Sequence, residues 1–200
     1  MKNELPVMEE FLSVQGEGAN AGQVAWFIRL AGCDVGCTWC DVKESWDANI
    51  HPVKSVDELV VAAKKSGATN VVVTGGEPTL YVLDELTSRL QKEGLKTWIE
   101  TSGTNKITGS WDWICLSPKK FKAPLNESLG LAHELKVVVL NKNDISWGEE
   151  FVPKLNPNCK LYFQPEWDKR DKASELIFDY VVQNPKWRVS IQTHKYLDIR

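Results

Sequence analysis

Seven short runs of β-forming residues, at 24–30, 70–74, 96–101, 113–116, 135–140, 161–164 and 187–192, constrain the fold of this chain more than any other feature. Most are too short and too uniformly apolar to be half-exposed antiparallel strands, and they read as strands covered on both faces. Helical patterns lie between several of them. Ser55-Val56-Asp57-Glu58 is a capping box that opens a helix over 55–65, and Gly67 follows as a stop. Residues 81–93 place Leu83, Leu86 and Leu90 at helical spacing ahead of Gly94, and a further helix over 173–182 ends at Asn184-Pro185. Strand–helix alternation of this kind predicts βαβ units and a largely parallel sheet. A chain of 200 residues falls short of the roughly 250 of a closed eight-fold barrel. The expected α/β architecture is therefore a partial, TIM-like βα barrel of about six parallel strands, with ligands at their carboxyl ends.

With 24 basic and 27 acidic side chains the net charge is −3, and 42% of residues are hydrophobic. That apolar fraction argues against a disordered chain, and the charge balance lacks the basic footprint of a nucleic-acid binder. Lys119, Lys120 and Lys122 form only a local cluster, interrupted by Phe121. No repeat or linker divides the sequence, so one domain over residues 1–200 is expected. No apolar stretch approaches the roughly 18 residues of a spanning helix. Residues 1–10 are polar and acidic, unlike a signal peptide. The expectation is a cytoplasmic protein with no membrane partner. Thiols stay reduced in that compartment, so the five cysteines are not read as a disulfide framework.

Cys33, Cys37 and Cys40 fall within eight residues, on a glycine-containing loop after the first of these strands. Thiolates are soft ligands that suit zinc or an iron–sulfur cluster. An irregular loop lets closely spaced side chains converge, and its backbone N–H groups stabilise a cluster's negative charge. Structural zinc normally takes four protein ligands, whereas Cys115 and Cys159 stand alone on apparent strands and read as core residues. Three ligands on a four-iron cluster leave one iron open to a substrate or cofactor. Spacing alone leaves both metals in view.

The C-x3-C-x2-C run resembles the radical S-adenosylmethionine superfamily, and Thr74-Gly75-Gly76-Glu77-Pro78 is similar to its GGEP motif. By itself the second run reads as a tight turn before a helix; the pairing carries the likeness. Gln15-Gly16-Glu17-Gly18, Phe27-Ile28-Arg29-Leu30-Ala31-Gly32-Cys33 and Gln192-Thr193-His194-Lys195-Tyr196-Leu197 resemble one branch, the 7-carboxy-7-deazaguanine synthases of queuosine and deazapurine pathways. The C-terminal motif discriminates best, because the superfamily at large lacks it.

That resemblance implies a carbon–nitrogen lyase converting 6-carboxy-5,6,7,8-tetrahydropterin to 7-carboxy-7-deazaguanine with loss of ammonia. A [4Fe–4S] cluster would cleave S-adenosylmethionine to a radical that takes hydrogen from substrate C6, and hydrogen return would make S-adenosylmethionine catalytic. Cys33, Cys37 and Cys40 become the cluster ligands. Trp39 and Asp41 are implied near the adenosyl group, and Gly76 and Glu77 at the methionine part, with Glu77 accepting from its ammonium. Thr101, Ser102, Ser117, Pro118 and Lys119 are implied at ribose or carboxylate, and Gln164 and Pro165 at adenosine. Each hydroxyl reads equally well as a satisfied turn or cap. For the pterin, the implied contacts are Val14, Gln15, Gly16, Glu17, Arg29, Thr74 and His194, with the terminal carboxylate of Arg200. Amides and carboxylates suit an aminopyrimidinone edge, and a guanidinium suits the substrate carboxylate. Arg29 lies among apolar residues, where an unpaired charge is expensive, so a buried ion pair is its competing reading.

Family sequences usually read Cys-Asp-Thr after the cluster loop, the threonine helping to bind Mg²⁺; here the run is Cys40-Asp41-Val42. Valine has no side-chain oxygen, and Mg²⁺ requires oxygen ligands. Substrate and water could keep the ion, Asp41 or Glu44 could compensate, or no metal is used. The resemblance further implies a homodimer and a flavodoxin or ferredoxin as electron donor. Two other functions remain in view. A glycyl-radical activase needs the cysteines and residues 75–78 but not the terminal motif, and a non-enzymatic scaffold would hold zinc. Of the nine tryptophans, Trp39, Trp46 and Trp98 are candidates for active-site walls, with core packing the alternative.

Overall fold

The structure, a computed structural model, describes residues 4–199. Among the described residues nine strands form one sheet: β1 (Glu4–Val14), β2 (Val24–Leu30), β3 (Val53–Ser55), β4 (Asn70–Gly75), β5 (Lys96–Thr101), β6 (Trp113–Leu116), β7 (Glu134–Val139), β8 (Lys160–Pro165) and β9 (Trp187–Val189). The helices are α1 (Val56–Lys65), α2 (Asp84–Lys92), α3 (Asn126–Leu131), α4 (Lys142–Glu149), α5 (Arg170–Gln183) and α6 (Thr193–Leu197). Strand order is β3-β1-β2-β4-β5-β6-β7-β8-β9, and every pairing from β2 to β9 is parallel. The sheet does not close between β3 and β9. This is the partial barrel expected, with seven parallel strands.

Two antiparallel strands add to it, and neither was expected. Residues 4–10, part of the polar and acidic N-terminus, begin β1, which pairs with β2 on one side and β3 on the other. Alternation is masked there because the acidic side chains are matched by cations: Glu9 binds Arg29, and Glu10 binds Lys54. The helix signals were sounder. Ser55 caps α1 as a capping box, accepting from Glu58 N while its own N–H donates to Glu58 Oε2 at 2.8 Å. Helix α2 starts at Asp84 rather than 81, because Pro78–Leu80 forms a separate 3-10 turn.

Alternate strand residues face opposite sides of the sheet. Outward residues Ile28, Leu30, Val71, Val73 and Ile99 pack with Leu59 and Ala63 of α1 and Leu86 and Leu90 of α2. Leu135, Val137, Val139, Leu161 and Phe163 pack likewise with Ile145 of α4 and Ile177 of α5. The inward set starts apolar, with Ala25, Phe27, Val72 and Trp98 in one cluster. One step toward the carboxyl ends it turns polar, with Arg29, Thr74, Glu100, Lys136 and Gln164 facing a cavity. The strands are thus covered by helices outside, while the inner face divides into core and site.

At the rim, the opening beside β1 is closed by the C-terminal segment. Gly18 N donates to Ser190 Oγ at 2.9 Å, and Thr193 N and Oγ1 both donate to Gly16 O at 2.9 Å. Two motifs distant in sequence therefore form one structure.

Candidate active site

A cavity of about 440 Å³ opens at the carboxyl ends of the parallel strands and adjoins a smaller one of about 180 Å³. Glu17, Arg29, Asp41, Val42, Thr74, Glu100 and Gln192 line both.

Cys33, Cys37 and Cys40 are free thiols on the wall of the larger cavity. Their loop is held by Cys33 N donating to Trp46 O at 3.2 Å and Cys40 N to Cys37 O at 3.1 Å. Burial pushes the Cys33 thiol up, and it pushes Cys37 to about 11 against the pull of Lys119. A bound metal must therefore displace their protons. Glycines stand at the end of β4 because the backbone there runs hard against the end of β2 and the start of this loop. A Cβ on Gly76 would stand 2.2 Å from Gly32 O, and one on Gly75 would stand 2.1 Å from Leu30 O.

Glu77 is buried and committed within the protein. Its Oε1 accepts from Thr79 N at 3.1 Å, Thr79 Oγ1 at 2.6 Å and Thr101 Oγ1. Its Oε2 accepts from Ser102 N at 2.8 Å and from Ser102 Oγ. A carboxylate offers about four lone-pair sites, so these donors fill it. The hydroxyls of Thr101 and Ser102, expected toward ribose or carboxylate, point to Glu77 instead, although both residues line the cavity. Lys119 Nζ donates to Ser117 O at 2.8 Å and Ser117 Oγ at 2.6 Å, and lies 5.5 Å from the Trp39 ring centre. Burial lowers its pKa, and it makes no ion pair among the described residues. Trp39, Asp41, Gly76, Gln164 and Pro165 also line this cavity; Pro118 is buried and does not. Trp46 is part of the wall, whereas Trp98 belongs to the core.

Three soft thiols beside open space, with an uncompensated ammonium nearby, fit an anionic iron–sulfur cluster and its ligand.

Val14, Gln15, Gly16, Glu17, Arg29, Thr74 and His194 all line the smaller cavity. Arg200 lies outside the described residues. Arg29 Nε donates to Glu9 Oε1 at 2.8 Å, so the ion-pair reading holds while the guanidinium still lines both cavities. His194 lies against Gly16, where a Cβ would stand 2.1 Å from its Nδ1. Burial lowers the His194 pKa against the pull of Glu17, which favours the neutral ring.

Comparison with known proteins places this geometry in a family. Residues 27–114 match the family model of the Radical SAM superfamily. Over 98% of its length the chain is 54% identical to the 7-carboxy-7-deazaguanine synthase of Flavobacterium psychrophilum, covering 92% of that protein. The chain belongs to the 7-carboxy-7-deazaguanine synthase family. It is also 47% identical to the synthase of Synechocystis sp., over 98% of this chain and 93% of that one. The crystal structure of QueE from Escherichia coli superposes with a TM-score of 0.85 at 33% identity, covering 96% of this chain and 95% of the other. Membership in the radical S-adenosylmethionine superfamily carries with it a [4Fe–4S] cluster and S-adenosylmethionine.

Two site features of this synthase-family chain escaped the sequence reading. Glu100 and Lys136 join the smaller cavity to its surroundings. Lys136 Nζ lies 2.5 Å from Glu17 Oε2 and 2.8 Å from Glu100 Oε2, and Gln15 Nε2 donates to Glu100 Oε1 at 2.9 Å. Burial works to raise the Glu17 carboxyl, but the Lys136 charge and hydrogen bonds from Lys136 and Gln192 hold it at about 2. The clue was available: both are charged residues at inward positions of apolar strands, the same oddity that singled out Arg29. The second feature is Lys195, whose ammonium pairs with Asp41 Oδ2 at 2.6 Å. With Asp41 ion-paired to Lys195 and Val42 offering only hydrocarbon, the residues present do not fit the Mg²⁺ site of Cys-Asp-Thr sequences.

Proposed function

We propose that this chain contracts the ring of 6-carboxy-5,6,7,8-tetrahydropterin to 7-carboxy-7-deazaguanine, releasing ammonia and regenerating S-adenosylmethionine. The observation that carries this reading is the shared boundary of the two cavities at Asp41, Thr74 and Glu17. It sets a cofactor chamber and a substrate chamber side by side, as hydrogen transfer between two ligands requires.

Cys33, Cys37 and Cys40 hold the cluster, which when bound supplies the electron for reductive cleavage of S-adenosylmethionine. Lys119 sets positive charge beside these anionic groups. Gly76, Trp39, Asp41, Ser117, Gln164 and Pro165 shape the chamber for S-adenosylmethionine, and Glu77 acts at one remove by locking the ends of β4 and β5. On the substrate side Arg29 binds the carboxylate, its Nε pair with Glu9 fixing the guanidinium plane. Gln15, Glu17 and Glu100 meet the aminopyrimidinone edge, with Val14, Gly16, Thr74 and neutral His194 closing around it. Trp39, Trp46 and Trp167 wall the larger chamber against water.

The reaction proceeds without Mg²⁺, because Val42 supplies no side-chain oxygen and Asp41 is paired with Lys195. The electron donor is a flavodoxin or ferredoxin, and the single-domain chain acts in the cytoplasm. No helix among the described residues is long and apolar enough to cross a membrane. A homodimer covers part of the open sheet.

The test is anaerobic reconstitution with iron and sulfide, then incubation with dithionite, S-adenosylmethionine and the tetrahydropterin, with and without Mg²⁺. Mass spectrometry should find 7-carboxy-7-deazaguanine at similar rates in both, with little S-adenosylmethionine consumed. Consumption of S-adenosylmethionine without this product contradicts the substrate, and a strict Mg²⁺ requirement contradicts the metal-free reading.

A further inference from the structure

We infer that Lys136 is a positioning residue that holds Glu17 and Glu100 side by side as hydrogen-bond acceptors for the pterin edge, which rests on the function proposed above. Lys136 occupies an inward position of β7, between Glu134 and Val138, and only 5% of its side chain is exposed. Its ammonium bridges Glu17 Oε2 at 2.5 Å and Glu100 Oε2 at 2.8 Å. Amides take the remaining oxygens: Gln192 Nε2 donates to Glu17 Oε1 at 2.8 Å, and Gln15 Nε2 to Glu100 Oε1 at 2.9 Å. One cation thereby joins the β1–β2 loop, β5, β7 and, through Gln192, the C-terminal motif.

Stability does not call for this arrangement. A buried carboxylate–ammonium–carboxylate set is often no better for folding than apolar side chains of the same volume. What it does supply is a fixed protonation state. Without the ammonium, two neighbouring carboxylates in a half-buried pocket repel, and one takes up a proton. Protonation turns an acceptor into a donor, facing the N–H groups of an aminopyrimidinone edge.

Among the described residues no neighbouring group takes its place: Arg29, which lines both cavities, is paired with Glu9, and Lys195 with Asp41. Cys115 is neutral because burial raises its thiol well above the ordinary range. Glu134 accepts from Ala19 N at 2.9 Å and Trp113 Nε1 at 3.2 Å, and burial raises its carboxyl. Lys119 is bound to Ser117, and burial keeps His194 toward the neutral form.

The test compares reconstituted wild type with K136M, K136R and K136M/E100Q, by steady-state kinetics and by fluorescence titration with 6-carboxypterin. K136M should raise KM, and the Kd for 6-carboxypterin, about 100-fold, with the loss in KM rather than kcat. K136R keeps the charge and should recover most of the affinity. Adding E100Q to K136M removes the like charge and should recover part of it. A K136M variant that binds within about three-fold of wild type overturns the inference, as does K136R no better than K136M or E100Q that only deepens the loss. Should K136M not fold, K136Q takes its place, since it keeps a donor but no charge, with the same outcomes. A wild type that makes no 7-carboxy-7-deazaguanine overturns the proposed function. One that makes it while K136M keeps its KM overturns only the role of Lys136.

Discussion

The two chambers of the site are built on opposite plans. The larger centres on one short loop, that of Cys33, Cys37 and Cys40, set against the Gly75-Gly76 turn and the strand ends that Glu77 ties together, although its wall draws residues from Glu17 to Lys195. The smaller is assembled from residues far apart in the chain. Gln15 meets Glu100, Lys136 bridges Glu17 and Glu100, and Gln192 returns from the C-terminus to Glu17. Cluster ligation demands a rigid local turn, whereas a planar heterocycle must be met from several sides at once. Damage to the first plan should therefore remove the chemistry or the fold, while damage to the second should weaken substrate binding.

The largest effect should come from C37S. Loss of one thiolate should drop iron content toward zero after reconstitution and bring product below detection, read by iron assay and mass spectrometry. E77A comes next. It leaves buried donors of Thr79, Thr101 and Ser102 unsatisfied, and urea denaturation should show a loss of about 3 kcal/mol. Q192A breaks the second plan instead. It should raise KM for the pterin about tenfold while stability stays within about 0.5 kcal/mol of wild type. An equal effect of E77A and Q192A on stability would erase the distinction between the chambers.

The smallest effect concerns pH. The Glu17 carboxyl, held at about 2, lies below its ordinary 4.5. Its contribution to stability is therefore complete above about pH 4.5 and is lost as pH falls toward 2. Denaturation of wild type and E17Q on stepping below about pH 5 should show the wild-type advantage shrinking over that window. A constant gap would mean that Lys136 does not hold Glu17 ionised.

The same contrast explains what was legible beforehand. The parallel strands and the helix caps could be read because burial and capping act over a few residues, as at Ser55 and Leu83. Cys33, Cys37, Cys40 and the Gly75–Gly76 turn were legible as motifs. Strand β1 was not, since Glu9 and Glu10 look like solvent-facing acids until Arg29 and Lys54 are brought beside them. Lys136 and Glu100 stand out in the sequence as charges on apolar strands, but only the parallel register, which brings β5 and β7 to one inner face, shows that they meet. Glu77 was legible as part of a motif, but its commitment to Thr101 and Ser102 needs the β4–β5 pairing to be known.

The most direct measurement is an anaerobic crystal structure of the reconstituted chain with S-adenosylmethionine and the tetrahydropterin bound. The predicted result is S-adenosylmethionine on the thiol-bound cluster in the larger chamber. The pterin should lie in the smaller one, its carboxylate on Arg29 and its pyrimidinone edge on Glu17 and Glu100. A pterin bound away from Arg29, Glu17 and Glu100 would contradict the two-chamber site.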